Sequence, residues 1–372
     1  MRADQQTATS LAQVDTLYSA DSIEFCPFEG FKDLFVCGTY QIVEPETKTL
    51  DEASHPDEEV QTPRKTQRVG RLLLFQVHDE QLLEEIQRIE TSAILDTKWS
   101  PYLEQGPRLA AADAKGRITI YELNVKTRQL EEIQRIDVEE ESTLCLSLDF
   151  SHQLHPSVPP SIITSISNGS LAYLTPSPTG HEIVSAWRAH DFEPWITAFD
   201  LQDPMTIWSG GDDCKLKRWD LRQTRIPTFV NKNFEAGVTT ITPSPHTAHL
   251  LAVGSYDENL RLFDTRSTRQ PLLTIPIGGG IWRTRFHPDH KRAGDVLIAC
   301  MHDGFKIIQL SRAISNGSWE NEESKTGNIV KSFDQHSSLA YGADWCKLPL
   351  KDGQSLVATC SFYDHALHLW RG

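Results

Sequence analysis

The stretch SGGDDCKLKRWD, residues 209–220, joins a small-residue turn, an aspartate, an alternating strand and a final Trp-Asp pair. The stretch VGSYDENLRLFD at 253–264 repeats this order, with 44 residues between Asp213 and Asp257. A third copy, CMHDGFKII, follows at 300–308, and weaker copies occupy 111–121, 165–173 and 360–370. A repeat of roughly 40–45 residues is typical of the blades of a β-propeller.

A short alternating strand stands ahead of each copy, usually with an aromatic residue at its end. Seven such strands are found, at 21–25, 94–99, 144–150, 195–199, 237–241, 281–286 and 341–345. The sequence therefore predicts an all-β fold, a single seven-bladed WD-repeat propeller over residues 1–372. Because the chain ends in the third strand of the last blade, we expect residues 11–18 to supply the missing outer strand and close the ring.

Two segments depart from the repeat. Residues 44–67 are acidic, contain three prolines and predict a disordered insertion, and residues 315–331 form a polar insertion before the last blade.

The composition narrows the function classes. The formal net charge of −15 disfavours nucleic-acid binding. No apolar run is long enough for a membrane span, and the first residues lack the apolar region of a secretory signal. Seven scattered cysteines without a Cys-x-x-Cys pair predict reduced thiols and no metal site. We therefore expect a cytoplasmic protein.

Several polar residues are explained by the fold alone. WD-type blades carry a hydrogen-bonded His, Asp and Trp, and such a network needs every member satisfied. His190, Asp213 and Trp219 fit one such set, and Asp257, Asp303 and Asp364 occupy the same turn position in other blades. We interpret these six residues as structural.

The candidate functional residues surround one mouth of the central channel. No nucleophile elbow, zinc-protease motif or Walker loop occurs in the sequence. Two positions in each blade face the mouth: the start of the inner strand and the residue after the second strand. These positions hold Asp21, Ile94, Glu193, Trp195, Trp282, Tyr341, Asp212, Tyr256, His302 and Tyr363. Exposed aromatic residues in such number indicate binding.

Seven strings resemble one WD-repeat family. They lie at 18–27, 91–99, 186–196, 254–258, 279–283, 300–306 and 341–345, and so cover all seven blades. Together they resemble the diphthine methyl ester hydrolases of the diphthamide pathway. The resemblance implies removal of a methyl ester from methylated diphthine on translation elongation factor 2, which leaves diphthine for amidation. It implies no cofactor, and it implies the factor and other diphthamide-pathway proteins as partners.

The resemblance also suggests roles at the mouth. His302 is the expected general base, and Asp21 and Glu193 could orient it or act beside it. The implied substrate carries a trimethylammonium group, for which the rings of Trp195, Tyr256, Trp282 and Tyr341 form a candidate aromatic cage, with Asp96 as a further binding residue. The alternative is a non-catalytic WD-repeat scaffold, because the fold does not determine function.

Overall fold

The computed structural model describes residues 6–44, 66–79, 82–104, 106–319, 325–349 and 353–372. Within these ranges the strands form seven sheets of at least four strands each. The first four blades, each from its inner to its outer strand, consist of β3 to β6 (Ser19–Phe25, Leu34–Val43, Gln67–Asp79, Leu82–Ser92), β7 to β10 (Ile94–Trp99, Arg108–Asp113, Arg117–Asn124, Gln129–Asp137), β11 to β14 (Cys145–Phe150, Ile162–Ile166, Ser170–Ser177, Gly180–Arg188) and β15 to β18 (Ile196–Phe199, Thr206–Gly210, Leu216–Asp220, Phe229–Asn231).

The remaining blades follow the same order. They consist of β19 to β22 (Val238–Pro243, Leu250–Ser255, Asn259–Asp264, Leu273–Pro276), β23 to β26 (Arg283–Phe286, Asp295–Ala299, Phe305–Leu310, Gly327–Phe333) and β27 to β29 (Ala340–Trp345, Leu356–Ser361, Ala366–Arg371) with β2 (Ser10–Asp15). The described helices are one 3₁₀ turn, His290–Arg292, and one α-helical turn, α1, Arg312–Ser315. None of the described helices has the length and hydropathy of a membrane span. The predicted seven-bladed propeller is confirmed.

Burial falls from the axis of the propeller to its rim. All six residues of the inner strand β11 are buried, whereas the outer strand β10 alternates between exposed and buried residues. Inner strands are covered on both faces and so carry continuous apolar runs, while outer strands face water on one side. The inner strands of successive blades contact one another around the whole ring, and β27 packs against β3 to complete it.

The N-terminal strand closes the last blade as predicted. Strand β2 pairs antiparallel with β29, with Val14 opposite Leu367. Leu11, Ala12 and Val14 pack against the core between the first and last blades. Immediately before it, β1, Gln6–Thr7, adds a parallel fifth strand beside β26, which the sequence did not predict. The two ends of the chain thus meet in one blade.

The two predicted insertions fall in different places. The acidic segment at 44–67 lies between β4 and β5 and is almost entirely outside the described residues. Part of the polar segment at 315–331 is not an insertion in the structure, because residues 327–331 belong to the outer strand β26.

The predicted structural residues lie in the turns and cores of their blades. His190 contacts Asp213 Oδ1 through Nδ1 at 2.8 Å and Ser209 Oγ through Nε2 at 2.7 Å, and the Trp219 indole N–H donates to the same Ser209 oxygen at 2.9 Å. Ser209 therefore completes this network. His336, which the sequence analysis did not single out, forms an equivalent network in the last blade.

The other turn aspartates contact different partners. Asp257 pairs with Arg261 at 2.8 Å, Asp303 pairs with Lys306, and Asp364 accepts hydrogen bonds from Ser361 and the Ser337 backbone. The turn position is thus the same in these blades while the partner of the aspartate varies.

Candidate functional site

Register shifts at the start of the inner strands shape one mouth of the channel. Pairing of β3 with β4 skips between Ala20 and Ser22, so Asp21 is left without a direct cross-strand partner. Pairing of β27 with β28 skips between Ala340 and Ala343, which frees Tyr341 in the same way. An extra residue in one strand of a pair bends that strand and re-aims its side chain. The mouth residues therefore depart from the regular alternation of the sheet.

Three rings stack continuously across the mouth. Trp282 lies at the centre, with its ring centroid 4.7 Å from that of Tyr341 and 6.1 Å from that of Tyr256, at interplanar angles of 23° and 29°. Trp195 meets Trp282 edge-on at 5.7 Å. The structure thus brings together all four residues of the predicted aromatic cage.

The stack extends beyond the predicted residues through Phe362, whose ring lies 4.9 Å from that of Tyr341. The sequence analysis proposed Tyr363 for this position by counting back from the turn aspartate. The turn of the last blade has one residue more than that of the fifth blade, so counting from the end of the second strand would have identified Phe362. Tyr363 is 70% exposed and meets Phe362 edge-on.

Two acidic residues flank the cage near Trp195. The Trp195 indole N–H donates to Asp212 Oδ1 at 2.6 Å, which fixes the orientation of the ring. Glu193 is half-buried, and its backbone carbonyl accepts a hydrogen bond from the Asp212 N–H at 2.9 Å. Glu193 therefore lies at the rim of the cage, as its position in the sequence predicts.

Asp21 lies between the cage and the channel. The residue is 5% exposed, and its Oδ1 is buried with no hydrogen-bond partner. Burial raises the pKa of Asp21 to about 7, against the lowering effect of the Arg283 guanidinium, while Asp96 raises it further. The Trp282 indole N–H also lowers this pKa, but it makes no hydrogen bond of normal geometry and is itself buried without a partner.

Asp96 is placed within the channel, away from the cage. It is 1% exposed, lies 3.1 Å from Lys98 Nζ and 3.5 Å from the Arg283 guanidinium, and accepts a hydrogen bond from the Leu148 N–H at 3.1 Å. Burial alone would raise the pKa of Asp96, but Lys98 and Arg283 outweigh it and hold the pKa below its ordinary value. Its oxygens are therefore already engaged by the protein. Arg283, which is 8% exposed, is a site residue that the sequence analysis missed.

His302 stands apart from this arrangement. Its side chain is exposed in the turn after β24, and among the described residues its ring has no hydrogen-bond partner. A general base is normally oriented by a third group that hydrogen-bonds to it. The structure shows no such group for His302 within its described part.

The larger concavities lie elsewhere. A groove of about 990 Å³ runs between the first and second blades, and its Arg117 is already paired with Asp137 and Glu141. A cavity of about 550 Å³ occupies the opposite mouth of the channel and includes Glu24 and Lys98. Volume alone does not mark a binding site, and we give more weight to the aromatic mouth because apolar rings and a polar group converge there. No cluster of three potential metal ligands occurs among the described residues.

Known proteins resemble the chain over its whole length. "Diphthine methyltransferase" of Homo sapiens is 35% identical, with 97% of this chain and 98% of the relative covered. The protein of that name from Mus musculus is 39% identical over 91% of this chain and 70% of the relative, and "Diphthine methyltransferase homolog" of Dictyostelium discoideum is 33% identical over 95% and 96%. No family model matches the chain.

Among solved structures, a chain of "Crystal Structure of Mitotic Checkpoint Complex" superimposes with a TM-score of 0.68, covering 100% of this chain and 97% of its own length. At 14% identity this likeness concerns the fold alone.

The relatives' names correct the activity expected from the sequence. A methyltransferase adds a methyl group, whereas the expected methyl ester hydrolase removes one, so by this comparison the prediction of ester hydrolysis is wrong. The geometry supplies a physical reason, because the histidine expected to act as base is exposed and is not oriented by any described partner.

Proposed function

The chain belongs to the WD-repeat family of the diphthamide pathway whose members are named diphthine methyltransferase, and we propose that it binds the diphthine side chain. Its role would lie in the methyl-transfer step of elongation factor 2 modification for which the relatives are named. The observation that carries this proposal is the continuous stack of Tyr256, Trp282 and Tyr341 at one mouth. Ring faces attract quaternary ammonium groups such as the one implied for diphthine.

The electrostatic surroundings support the same ligand. Asp212 is exposed beside Trp195, Glu193 lies at the rim, and Asp21 lies behind the rings. Because these acidic groups surround the aromatic cage and the whole chain carries a net charge of −15, a cationic side chain is attracted toward the mouth.

The described residues do not fit the adenosyl part of a nucleotide-type methyl donor such as S-adenosylmethionine. A nucleotide cradle usually consists of a glycine-rich loop that leads from a strand into a helix. Here Gly278, Gly279 and Gly280 lead into the strand β23, and the described helices are one turn long. We therefore assign to this chain recognition of the diphthine side chain and derive no step through the donor.

The assay follows from this assignment. Purified protein in substoichiometric amount is incubated with diphthine-bearing elongation factor 2 and a methyl donor, with and without the other diphthamide-pathway proteins. Mass spectrometry of the modified histidine peptide reports its methyl content. We expect a gain of a methyl group over many turnovers, and His302→Ala should leave the rate unchanged within about twofold, because surface substitutions away from a site have small effects.

Other outcomes separate the alternatives. Loss of a methyl group would contradict the direction that the relatives' name states. Binding of the factor without any change in methyl content, under both conditions, would favour the WD-repeat scaffold. Failure to bind the factor would overturn the proposal itself.

A further inference from the structure

Asp21 is a buried polar group that the fold leaves incomplete. Its Oδ1 has no hydrogen-bond partner, and the neighbouring Trp282 indole N–H has none. Buried carboxylates are normally paired or hydrogen-bonded, because removing a charge from water costs several kcal/mol. Two unpaired polar groups at the same wall of the mouth indicate that something from outside the chain completes them.

The charged groups of the channel do not neutralise Asp21. The nearest cation, Arg283, directs its guanidinium to Asp96 at 3.5 Å, and Asp96 also holds Lys98. On the mouth side Asp21 acts on the hydroxyls of Tyr256 and Tyr341, whose pKa values it raises together with burial. The buried Cys360 of β28 also senses its charge. The carboxylate therefore faces uncharged rings on one side and an occupied cation on the other.

We propose that Asp21 is the counter-charge for a cation held in the aromatic cage, so that the mouth selects trimethylammonium over a neutral group of the same shape. This inference rests on the proposed function, since it concerns the same cage. An aromatic face attracts a cation through its quadrupole, and an anion behind the face adds a direct Coulomb attraction that a neutral isostere does not feel. Shape selects for the three methyl groups, and Asp21 selects for their charge.

The inference has a pH signature with a definite sign. The pKa of Asp21 is raised to about 7, chiefly by burial, and a cation prefers the charged carboxylate. Affinity for the cation should therefore be highest above pH 7 and fall as the pH drops below that value, by at most about tenfold per pH unit. Because binding favours deprotonation of Asp21, it should also release a proton near neutral pH.

Glu24 provides a matched control. It lies three residues along the same strand, its Oε2 is also buried without a partner, and burial raises its pKa to about 7. Glu24 lines the cavity at the opposite mouth of the channel, away from the aromatic cage. The two carboxylates thus share environment and titration and differ in which mouth they face.

The test uses two small probes. Choline and its neutral isostere 3,3-dimethyl-1-butanol are titrated into the full chain by calorimetry at pH of about 6 and about 8, a pair that brackets the raised pKa. We expect choline to bind at least about tenfold more tightly than the isostere at the higher pH, and more weakly at the lower. Asp21→Asn should abolish both differences, whereas Glu24→Gln should preserve them.

Folding of the variant can be verified separately. Since the pKa of Asp21 in the folded protein lies above its ordinary value of 3.8, the charged carboxylate opposes folding at pH above 7. Asp21→Asn should therefore melt at or above the wild-type temperature at the higher pH. A lower melting temperature would leave the wild-type pH profile and the comparison of probes as the deciding data.

The outcomes are distinct from those of the enzyme assay. Equal affinity of the wild type for choline and the isostere, or unchanged choline binding by Asp21→Asn, would overturn the role of Asp21 and leave the cage intact. Absence of choline binding by the wild type would also overturn it, while methyl transfer to the factor would still be decided by its own assay.

Discussion

Trp282→Ala is expected to weaken binding of choline and of diphthine-bearing elongation factor 2 by about 30-fold, the equivalent of about 2 kcal/mol for one desolvated cation–π contact. Trp282 is the central ring of the aromatic cage and contacts Trp195, Tyr256 and Tyr341. Its removal deletes one ring face and leaves the two tyrosines without the ring between them. The loss should therefore exceed that from replacing any peripheral ring.

Phe192→Ala is the control for this experiment. Phe192 is an aromatic residue on the loop before Trp195, but it is 61% exposed and makes none of the ring contacts of the stack. Its replacement should leave choline affinity unchanged. Isothermal titration of both variants gives the comparison, and equal affinities for the two would contradict the assignment of the cage.

The predictability of the fold depended on residues that repeat for a structural reason. Asp213 and Trp219 recur in other blades because the same turn and the same side-chain network close each of those blades, so their spacing is visible in the sequence. The outer strand β26 was interpreted as an insertion because most of its residues are partly exposed. Strands at the rim do not need an apolar alternation, and pairing with β25 supplies their stability.

The site could be predicted by position but not by environment. Trp282 and Tyr341 were identified because they stand at the start of inner strands. The burial of Arg283 and the unpaired oxygen of Asp21 depend on how neighbouring blades meet, which one sequence does not show. His302 was expected to act in catalysis from the same positional rule, yet its turn leaves it exposed and without a described partner. Position alone does not distinguish a buried functional group from an exposed one.

Removal of residues 1–18 is expected to abolish cooperative folding. The deletion takes away β2, which is the outer strand of the last blade, and exposes the backbone edge of β29 to solvent. It also uncovers Leu367 and Leu369, which are fully buried in the core between the first and last blades. An exposed apolar edge of this kind promotes aggregation.

Removal of residues 1–7 is the matched control, because it deletes only β1, whose two residues are exposed. Circular dichroism during heating should show a cooperative transition for the shorter deletion and none for the longer one. A synthetic peptide of residues 8–18 added during refolding should restore the transition, as strand addition does at other open sheet edges. If the longer deletion melts within a few degrees of the wild type, β2 is not what closes the ring, and the contact of β27 with β3 must hold the blades together on its own.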